Sequence, residues 1–307
     1  MTLGKYKGDL ALLLAALIWG TSFISQKLGM NYMEPLTFTA ARFLLGGIVL
    51  IPIILFYEQK NKTADKSAST SMTNPGELPF QKKDLLIGGT LCGASIFLGA
   101  SAQQIGIVYT TAGKAAFITA LYIVVVPLLG LFLKHKVPKA TWVGVVLAVV
   151  GLYLLTIHEG LSIQKGDAIV LLGTVFWAFQ IITMDHYVNK TDGLKLSCLQ
   201  FFIAGLLSAA AAFVFETPVL TNILAGGWLI LYMGFFAVGL AYSLQIIGQK
   251  QTKPSVAAII MSLESVFAVI FGALLLQESM TARELSGCVL MFAAFIVTQV
   301  KPKELGS

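Results

Sequence analysis

An acidic side chain lies deep inside an apolar run near the end of the chain. Glu264 is ten residues beyond Pro254, where the run begins, and at about 1.5 Å per helical residue this is about 15 Å along it. If the run crosses a membrane, an ionised carboxylate is costly there unless it faces a polar cavity or carries a proton. Glu264 is therefore a candidate for proton coupling or for anchoring an amine. A neutral, hydrogen-bonded structural acid is the alternative.

A basic side chain lies in another apolar run. Arg42 is about 10 Å from one end of that run, keeps its charge, and offers a planar fork that suits a carboxylate. It is a candidate for binding the acid end of a small molecule, and a structural role bonding helix-end carbonyls is the alternative. Lys114, near the mouth of a further run, either extends into the headgroups or attracts anions.

Aromatic residues complete the set of binding candidates. Trp19 and Trp177 lie in the middle of apolar runs, although tryptophan favours membrane interfaces. An indole that lines a cavity can stack on a ligand and donate a hydrogen bond, and core packing is the alternative for both. Tyr122 is the fifth candidate. Further polar residues within the runs are Ser22, Gln103, Gln104, Thr119, Gln180, Tyr242 and Gln245.

The composition indicates the solvent in which these residues are held. Of the 307 residues, 57% are hydrophobic and 12% are charged, whereas soluble domains average about 25% charged. Too few charges remain to cover a water-facing surface of this size, so most of the chain is expected to lie in lipid. A water-soluble enzyme, a nucleic-acid-binding protein and a disordered chain are excluded.

The apolar runs divide into segments of about 20 residues, the length that spans a bilayer as a helix. The sequence predicts an all-α polytopic membrane protein with ten transmembrane helices. The predicted spans are residues 8–27, 36–56, 85–108, 112–133, 139–157, 167–187, 196–215, 226–249, 254–276 and 282–300.

Basic residues are concentrated in alternate loops. Sixteen Lys or Arg lie in the termini and the even-numbered loops, and four lie in the odd-numbered loops. Because cytoplasmic loops carry the excess of basic residues, both termini are predicted to be cytoplasmic in a multi-pass protein of the cell (inner) membrane. The Lys-, Ser- and Thr-rich segment 57–84 is predicted to be a flexible cytoplasmic loop.

The two halves of the chain are related in sequence. Residues 7–23 match residues 165–181 at an offset of 158, which predicts two five-span repeats, residues 1–157 and 158–307. Because five is odd, the second repeat is inverted, an architecture in which a central site can face either side of the membrane. Residues paired in this way are Trp19 with Trp177, Arg42 with Gln200 and, at an offset of 143 beyond the long loop, Leu121 with Glu264.

Several motifs together are typical of a known family. They are Trp19, the Arg42-Phe43 pair, QQIGIVYTTAGKAAFITALYIVVVPLLG at 103–130 and LESVFAVIFGALLLQES at 263–279. In these features the chain resembles the bacterial ten-span drug/metabolite transporters with two EamA repeats. The resemblance covers essentially the whole chain. It implies movement of small metabolites, often amino acids and often outward, through a cavity between the two halves.

We therefore expect a secondary transporter, not an enzyme, that exports a small amine or zwitterion such as an amino acid by alternating access. Its expected partners are this substrate and the bilayer, with protons as candidate coupling ions. No nucleic acid, cofactor or metal is expected, and the oligomeric state is left open. A polytopic enzyme acting on lipid and a narrow channel are the alternatives. Against them, no HExxH or GxSxG motif occurs, and the chain offers no ring of identical filter ligands.

Overall fold

Ten helical spans follow one another in the part of the chain that the computed structural model describes. That part comprises residues 7–67, 82–134, 137–156, 164–276 and 281–299. Numbered from the N-terminus as span 1 to span 10, the spans are Lys7–Gly29, Pro35–Ser67, Lys82–Gly106, Ala112–Phe132, Lys139–Thr156, Lys165–Val188, Gly193–Phe215, Gly227–Gln249, 254–276 and Ala282–Gln299.

Most of these helices have the length and apolar composition of membrane spans. Within the described ranges, eight helices are long and apolar enough to cross a bilayer, and Lys139–Leu155 is a shorter apolar helix. The predicted all-α polytopic fold is confirmed. The helix ends lie within three residues of the predicted ends, except at the end of span 2.

Span 2 continues well past its apolar segment, to Ser67. The prediction of a flexible loop was therefore wrong for residues 57–67, and residues 68–81 lie outside the described part of the chain. Two features favour the longer helix. The extension is rich in good helix formers such as Glu, Gln and Lys, and Glu58 forms an ion pair of 2.6 Å with Lys195 at the start of span 7.

Spans 4, 8 and 9 are not continuous α-helices. Span 8 contains a π-helical segment, Met233–Leu240, in which each hydrogen bond reaches one residue further than in an α-helix. Spans 4 and 9 are each interrupted near the middle by a tight turn, closed by hydrogen bonds from Leu121 N to Ile118 O and from Leu263 N to Ile260 O, both 3.2 Å. The segments are Ala112–Ala120 and Tyr122–Phe132 in span 4, and Pro254–Met261 and Glu264–Leu276 in span 9.

Matching hydrogen bonds relate the two repeats. The Thr110 hydroxyl at the end of span 3 donates to Asp167 Oδ1 at the start of span 6, at 2.5 Å. The Thr252 hydroxyl at the end of span 8 donates to Asp9 Oδ1 at the start of span 1, at 2.9 Å. Since Asp9 and Asp167 are equivalent at the offset of 158, Thr110 and Thr252 are equivalent too, which sets an offset of 142 for this part of the repeats.

The offset of 142 corrects one pairing made from the sequence. It places Tyr122, not Leu121, opposite Glu264. The two residues also begin the second helical segments of spans 4 and 9. The offset of 143 applies only beyond the breaks, where span 5 begins at Lys139 and span 10 at Ala282.

The most extensive helix contacts join one repeat to the other: span 3 with span 6, span 2 with span 7, and span 5 with span 10. Glycines allow the closest approaches. A Cβ at Gly166 would lie 2.6 Å from the carbonyl oxygen of Gly106, and one at Gly248 would lie 2.9 Å from that of Gly8. Small residues of this kind let helices pack closely in lipid.

Antiparallel spans give the molecule two faces. We call the face with the start of span 1 and the end of span 10 the terminal face, and the other the opposite face. Spans 2 and 7 are joined at both. At the opposite face, the Glu216 carboxylate accepts hydrogen bonds from the backbone N–H groups of Leu36 and Thr37, at 2.7 and 2.8 Å. At the terminal face, they are joined by the ion pair of Glu58 with Lys195.

Candidate functional site

A buried cavity lies between the two repeats, and all five predicted binding residues line it. The empty space among its lining residues, counted out to open solvent, is about 600 Å³. The lining residues are Trp19, Ser22, Phe23, Gln26, Arg42, Phe43, Gln103, Thr119, Tyr122, Trp177, Gln180, Ile181, Met233, Ala237, Val238, Tyr242, Gln245, Met261 and Glu264.

The acidic residue of this cavity, Glu264, lies where the helix breaks of spans 4 and 9 meet. Glu264 is 5% exposed, and the Tyr122 hydroxyl lies within hydrogen-bond distance of its Oε1, at 3.4 Å. Because the two residues are equivalent in the repeats, their contact lies at the pseudo-twofold axis between the two halves. The helix breaks therefore bring an acid and a phenol together near the middle of spans 4 and 9.

The basic residue of the cavity, Arg42, has aromatic neighbours. Arg42 is 4% exposed, and its guanidinium carbon lies 5.6 Å from the ring centre of Phe38 and 5.2 Å from that of Phe43. Among the described residues its Nε has no hydrogen-bond partner, and no ion pair joins Arg42 to Glu264. The cavity thus contains one cationic and one acidic group that do not neutralise each other directly.

An aromatic cluster forms one wall. Tyr242 is at its centre, with its ring centre 5.0 Å from that of Trp19 and 6.5 Å from that of Trp177. Phe43 and Phe201, which are equivalent in the repeats, contact the same tyrosine at 6.3 and 5.2 Å. The wall therefore offers ring faces and edges to an apolar or cationic group.

The two tryptophans are held by different hydrogen bonds. Trp19 Nε1 donates to the carbonyl oxygen of Ala237 at 2.9 Å, in the π-helical segment of span 8. Trp177 Nε1 donates to Gln103 Oε1 at 3.0 Å. Each bond joins a tryptophan of one repeat to a helix of the other, so the aromatic walls are sensitive to how the repeats sit against each other.

The cavity is closed toward the opposite face. Gln103 Nε2 donates to Gln26 Oε1 at 2.9 Å, and Gln104 Nε2 donates to the Gln26 carbonyl at 3.1 Å. Phe23 packs beside them in a buried cluster that includes Ile107. These contacts join spans 1 and 3 between the cavity and the opposite face.

A second space, which we call the vestibule, opens at the terminal face. Its empty space, counted out to open solvent, is about 1,090 Å³. Two hydrogen bonds from span 8 to span 6 lie between the vestibule and the cavity: Gln245 Nε2 to Gln180 Oε1 at 3.2 Å, and Gln249 Nε2 to Ile181 O at 2.9 Å. The lining residues are Val126, Gly130, Val137, Pro138, Thr141, Ile182, Asp185, Asn189 and 249–256.

The structure also selects among the other polar residues named from the sequence. Ser22, Gln103, Thr119, Gln180, Tyr242 and Gln245 line the cavity, whereas Lys114 and Gln104 do not. Gln26 was missed, and its only signal was a polar residue within an apolar run. In the described ranges, no three or more His, Cys, Asp or Glu residues are grouped to hold a metal ion.

The fold and the site define a class of protein. Ten spans in two inverted repeats around a buried, charged and aromatic cavity are the architecture of a membrane transporter. Sequence comparison agrees: residues 6–157 and 164–299 each match the EamA-like transporter family. The chain belongs to this family.

Similar proteins support the assignment. An uncharacterized transporter of Archaeoglobus fulgidus is 32% identical over 95% of this chain and 86% of its own length. The uncharacterized inner membrane transporter YedA of Escherichia coli is 25% identical over 94% of this chain and 89% of its own. A solved crystal structure with 16% identity has a TM-score of 0.74 over 96% of this chain and 97% of the other, which shows a shared fold.

Proposed function

We propose that this transporter moves a small amine or zwitterion of amino-acid size by alternating access and works as an exporter. The observation that carries the proposal is the cavity between the repeats, which contains Glu264, Arg42 and the aromatic wall around Tyr242.

The proposed recognition is by charge at both ends of the substrate. Glu264 attracts an ammonium group, and the Tyr122 hydroxyl orients the carboxylate. Arg42, which lacks an acidic partner among the described residues, meets the substrate carboxylate through its planar fork. Trp19 and Trp177 contact the remainder, and a cation over an aromatic ring contributes up to about 2 kcal/mol when desolvated.

The proposed movement is rocking of the two repeats about this site. The contacts on the two sides of the cavity differ. Toward the opposite face Gln26, Gln103 and Phe23 close it, and toward the vestibule two hydrogen bonds join span 8 to span 6. Inverted repeats can exchange such arrangements, so a second state would open at the opposite face.

The proposed orientation in the membrane rests on the basic residues. Their excess in the termini and even-numbered loops makes the terminal face cytoplasmic, so the vestibule faces the cytoplasm. We place the protein in the inner membrane with both termini inside, in keeping with the name of the Escherichia coli relative.

Counterflow in liposomes tests the proposal. Purified protein is reconstituted with unlabelled compound inside, and uptake of labelled compound is followed for amino acids, for their decarboxylated amines and for nucleosides as a control without an ammonium group. We expect saturable exchange of an amine or amino acid and none of the nucleosides. Non-saturating conductance would indicate a channel, and chemical change of added lipid would indicate an enzyme.

A further inference from the structure

We propose that Gln245 positions Trp19 in the second state of the transporter, in which the cavity opens toward the opposite face. In the present structure the indole of Trp19 donates to the carbonyl oxygen of Ala237. In the second state it donates to Gln245 Oε1 instead. This inference rests on the rocking movement in the proposed function, and it gives Gln245 a role that acts through Trp19.

Gln103 and Gln245 occupy equivalent places in the two repeats. They are equivalent at the offset of 142, and both line the cavity. Three residues later, a Cβ at Gly106 would lie 2.9 Å from a carbonyl oxygen of span 6, and one at Gly248 would lie 2.9 Å from a carbonyl oxygen of span 1. Spans 3 and 8 therefore approach the other repeat in the same way beside these glutamines.

The two glutamines also use their amide nitrogens alike, each within its own repeat. Gln103 Nε2 donates to Gln26 Oε1 at 2.9 Å, and Gln245 Nε2 donates to Gln180 Oε1 at 3.2 Å. The first bond joins span 3 to span 1, and the second joins span 8 to span 6. Each glutamine therefore keeps its Oε1 as an acceptor for a donor of the other repeat.

The two Oε1 atoms differ in what they bind. Gln103 Oε1 accepts a hydrogen bond from Trp177 Nε1 at 3.0 Å, and at the offset of 158 the equivalent donor for Gln245 is Trp19. Gln245 is 1% exposed, and its Oε1 has no partner among the described residues. Since a buried acceptor without a hydrogen bond is unfavourable, the structure contains an acceptor for Trp19 that the present state leaves unused.

The indole of Trp19 lies between its two acceptors. Its ring centre is 5.0 Å from that of Tyr242, which lies between Ala237 and Gln245 on span 8. Ala237 is toward the opposite face and Gln245 is toward the terminal face, each at most about 8 Å from Tyr242 along the helix. A turn of the indole about its side-chain bonds therefore exchanges one acceptor for the other.

The inverted repeats supply the reason for this exchange. In the second state, spans 1 and 8 take the arrangement that spans 6 and 3 have in the present one. Trp19 then binds Gln245 as Trp177 now binds Gln103, and Trp177 leaves Gln103 as the cavity opens at that end. The hydrogen bond between a tryptophan and its glutamine therefore lies on the closed side of the cavity in each state.

A permanent difference between the repeats is the competing explanation. At the offset of 142, Tyr242 takes the place of Ala100 in the first repeat. Ala237 belongs to the π-helical segment of span 8, whereas span 3 is a continuous α-helix. If these features alone decided its position, Trp19 would stay on Ala237 in both states. The experiment must therefore measure whether Gln245 and Trp19 interact in the second state.

The test follows the balance of the two states by thiol labelling of the protein in liposomes. A single thiol is introduced as Ser255→Cys on the vestibule wall or as Ala116→Cys in the buried cluster on the closed side. The background is a protein in which Ala replaces Cys92, Cys198 and Cys288. The ratio of the rates at which N-ethylmaleimide labels Ala116→Cys and Ser255→Cys measures the balance, because the first thiol should become accessible in the second state.

We expect this ratio to depend on Gln245 only through Trp19. Gln245→Met should lower the ratio about fivefold more in the protein with Trp19 than in a Trp19→Phe background, the equivalent of about one hydrogen bond. Comparing the two backgrounds isolates this contact, because the Nε2 bond to Gln180 is lost in both. Gln245→Glu keeps an acceptor at this position and should keep the dependence on Trp19, and it serves as the second variant if Gln245→Met does not fold.

Two matched controls accompany this comparison. Gln249→Met is the same change one turn further along span 8, at a glutamine that bonds the Ile181 carbonyl, and its effect on the ratio should be the same with and without Trp19. Gln103→Met combined with Trp177→Phe removes a bond that is present now. This pair should interact with the opposite sign, because its loss disfavours the present state and raises the ratio.

Equal effects of Gln245→Met in the two backgrounds would overturn the proposal and leave Trp19 on Ala237 in both states. An Ala116→Cys thiol that reacts in none of the variants would refute the rocking movement and the exchange together. The result is separable from the proposed substrate. Interaction of Gln245 with Trp19 in a protein without amine counterflow would leave the exchange standing and refute the proposed substrate, and amine counterflow without this interaction would do the reverse.

Discussion

Glu264 and Tyr122 show how one residue's chemistry depends on its place in the repeats. A charge at the middle of a span costs about 2.5–3.5 kcal/mol on insertion scales, and Glu264 is nevertheless buried there. Its neighbour is the equivalent residue of the other repeat, in hydrogen-bond distance at 3.4 Å. The proposed movement of one repeat against the other would therefore change the surroundings of this pair directly.

At this scale, Glu264→Gln tests whether the acid binds amine or carries a proton. The amide is nearly isosteric, so we expect a folded protein whose counterflow falls about tenfold or more, or loses its pH dependence, because the charge-assisted hydrogen bond or the titrating group is gone. Liposome counterflow over a series of pH values is the measurement. Glu34→Gln, the same change at an exposed carboxylate of the opposite face, is the control. Unchanged flux and pH profile would make Glu264 a packing residue and remove the basis for a cationic substrate.

At the scale of helices, the helix breaks and the glycines have different roles. The breaks in spans 4 and 9 place Tyr122 and Glu264 at helix starts within the membrane. Irregular backbone is tolerated at membrane depth only where protein or a cavity surrounds it, and here both breaks lie beside the central cavity. The glycines of spans 3 and 6 instead allow two continuous helices to approach closely.

A pair of glycine substitutions tests this packing. Gly166→Ala would place a Cβ 2.6 Å from the Gly106 carbonyl oxygen, whereas Gly227→Ala meets nothing within 4 Å. We expect the first to destabilise by about 1–3 kcal/mol, the usual cost of overpacking, and the second to leave stability unchanged or slightly raised. Thermal unfolding of the detergent-solubilised variants, followed by size-exclusion chromatography, is the measurement. Equal midpoints would show that spans 3 and 6 separate easily to admit a side chain.

At the scale of the whole molecule, the two repeats have the same architecture, but the residues at the two faces of the molecule differ. Lys27 and its carbonyl partners lie at one face, and Asp185 and the vestibule lie at the other. Under the proposed rocking movement, such differences would make the two states unequal in free energy, and a ligand would shift the balance only through unequal affinity for them.

Orientation is tested on whole cells. In a variant in which Cys92, Cys198 and Cys288 are replaced by Ala, Ser69→Cys introduces a thiol between spans 2 and 3. Thr221→Cys introduces one in the short helix Leu220–Ala225 between spans 7 and 8. With the terminal face in the cytoplasm, a membrane-impermeant maleimide should label Thr221→Cys in intact cells and Ser69→Cys only after permeabilisation. Labelling of Ser69→Cys from outside would reverse the proposed orientation and place the vestibule at the outer face.

The sequence alone was sufficient for the number, order and approximate ends of the spans. Crossing a bilayer depends on the local length of an apolar run, and this information is contained in each segment by itself. The same reasoning found Trp19, Arg42, Trp177 and Glu264, because a polar or interfacial side chain within such a run is conspicuous. It failed at residues 57–67, where good helix formers and an ion pair with span 7 extend span 2 beyond its apolar segment.

Only the tertiary structure decided which polar residues meet. The spans are apolar on the sides that face lipid and on the sides that face protein, so periodicity does not reveal which way Gln180 or Gln104 points. The first lines the cavity and the second does not. The breaks that make Tyr122 the partner of Glu264, and the place of Tyr242 at the centre of the aromatic wall, arise from the packing of one repeat against the other, a long-range property that no single segment contains.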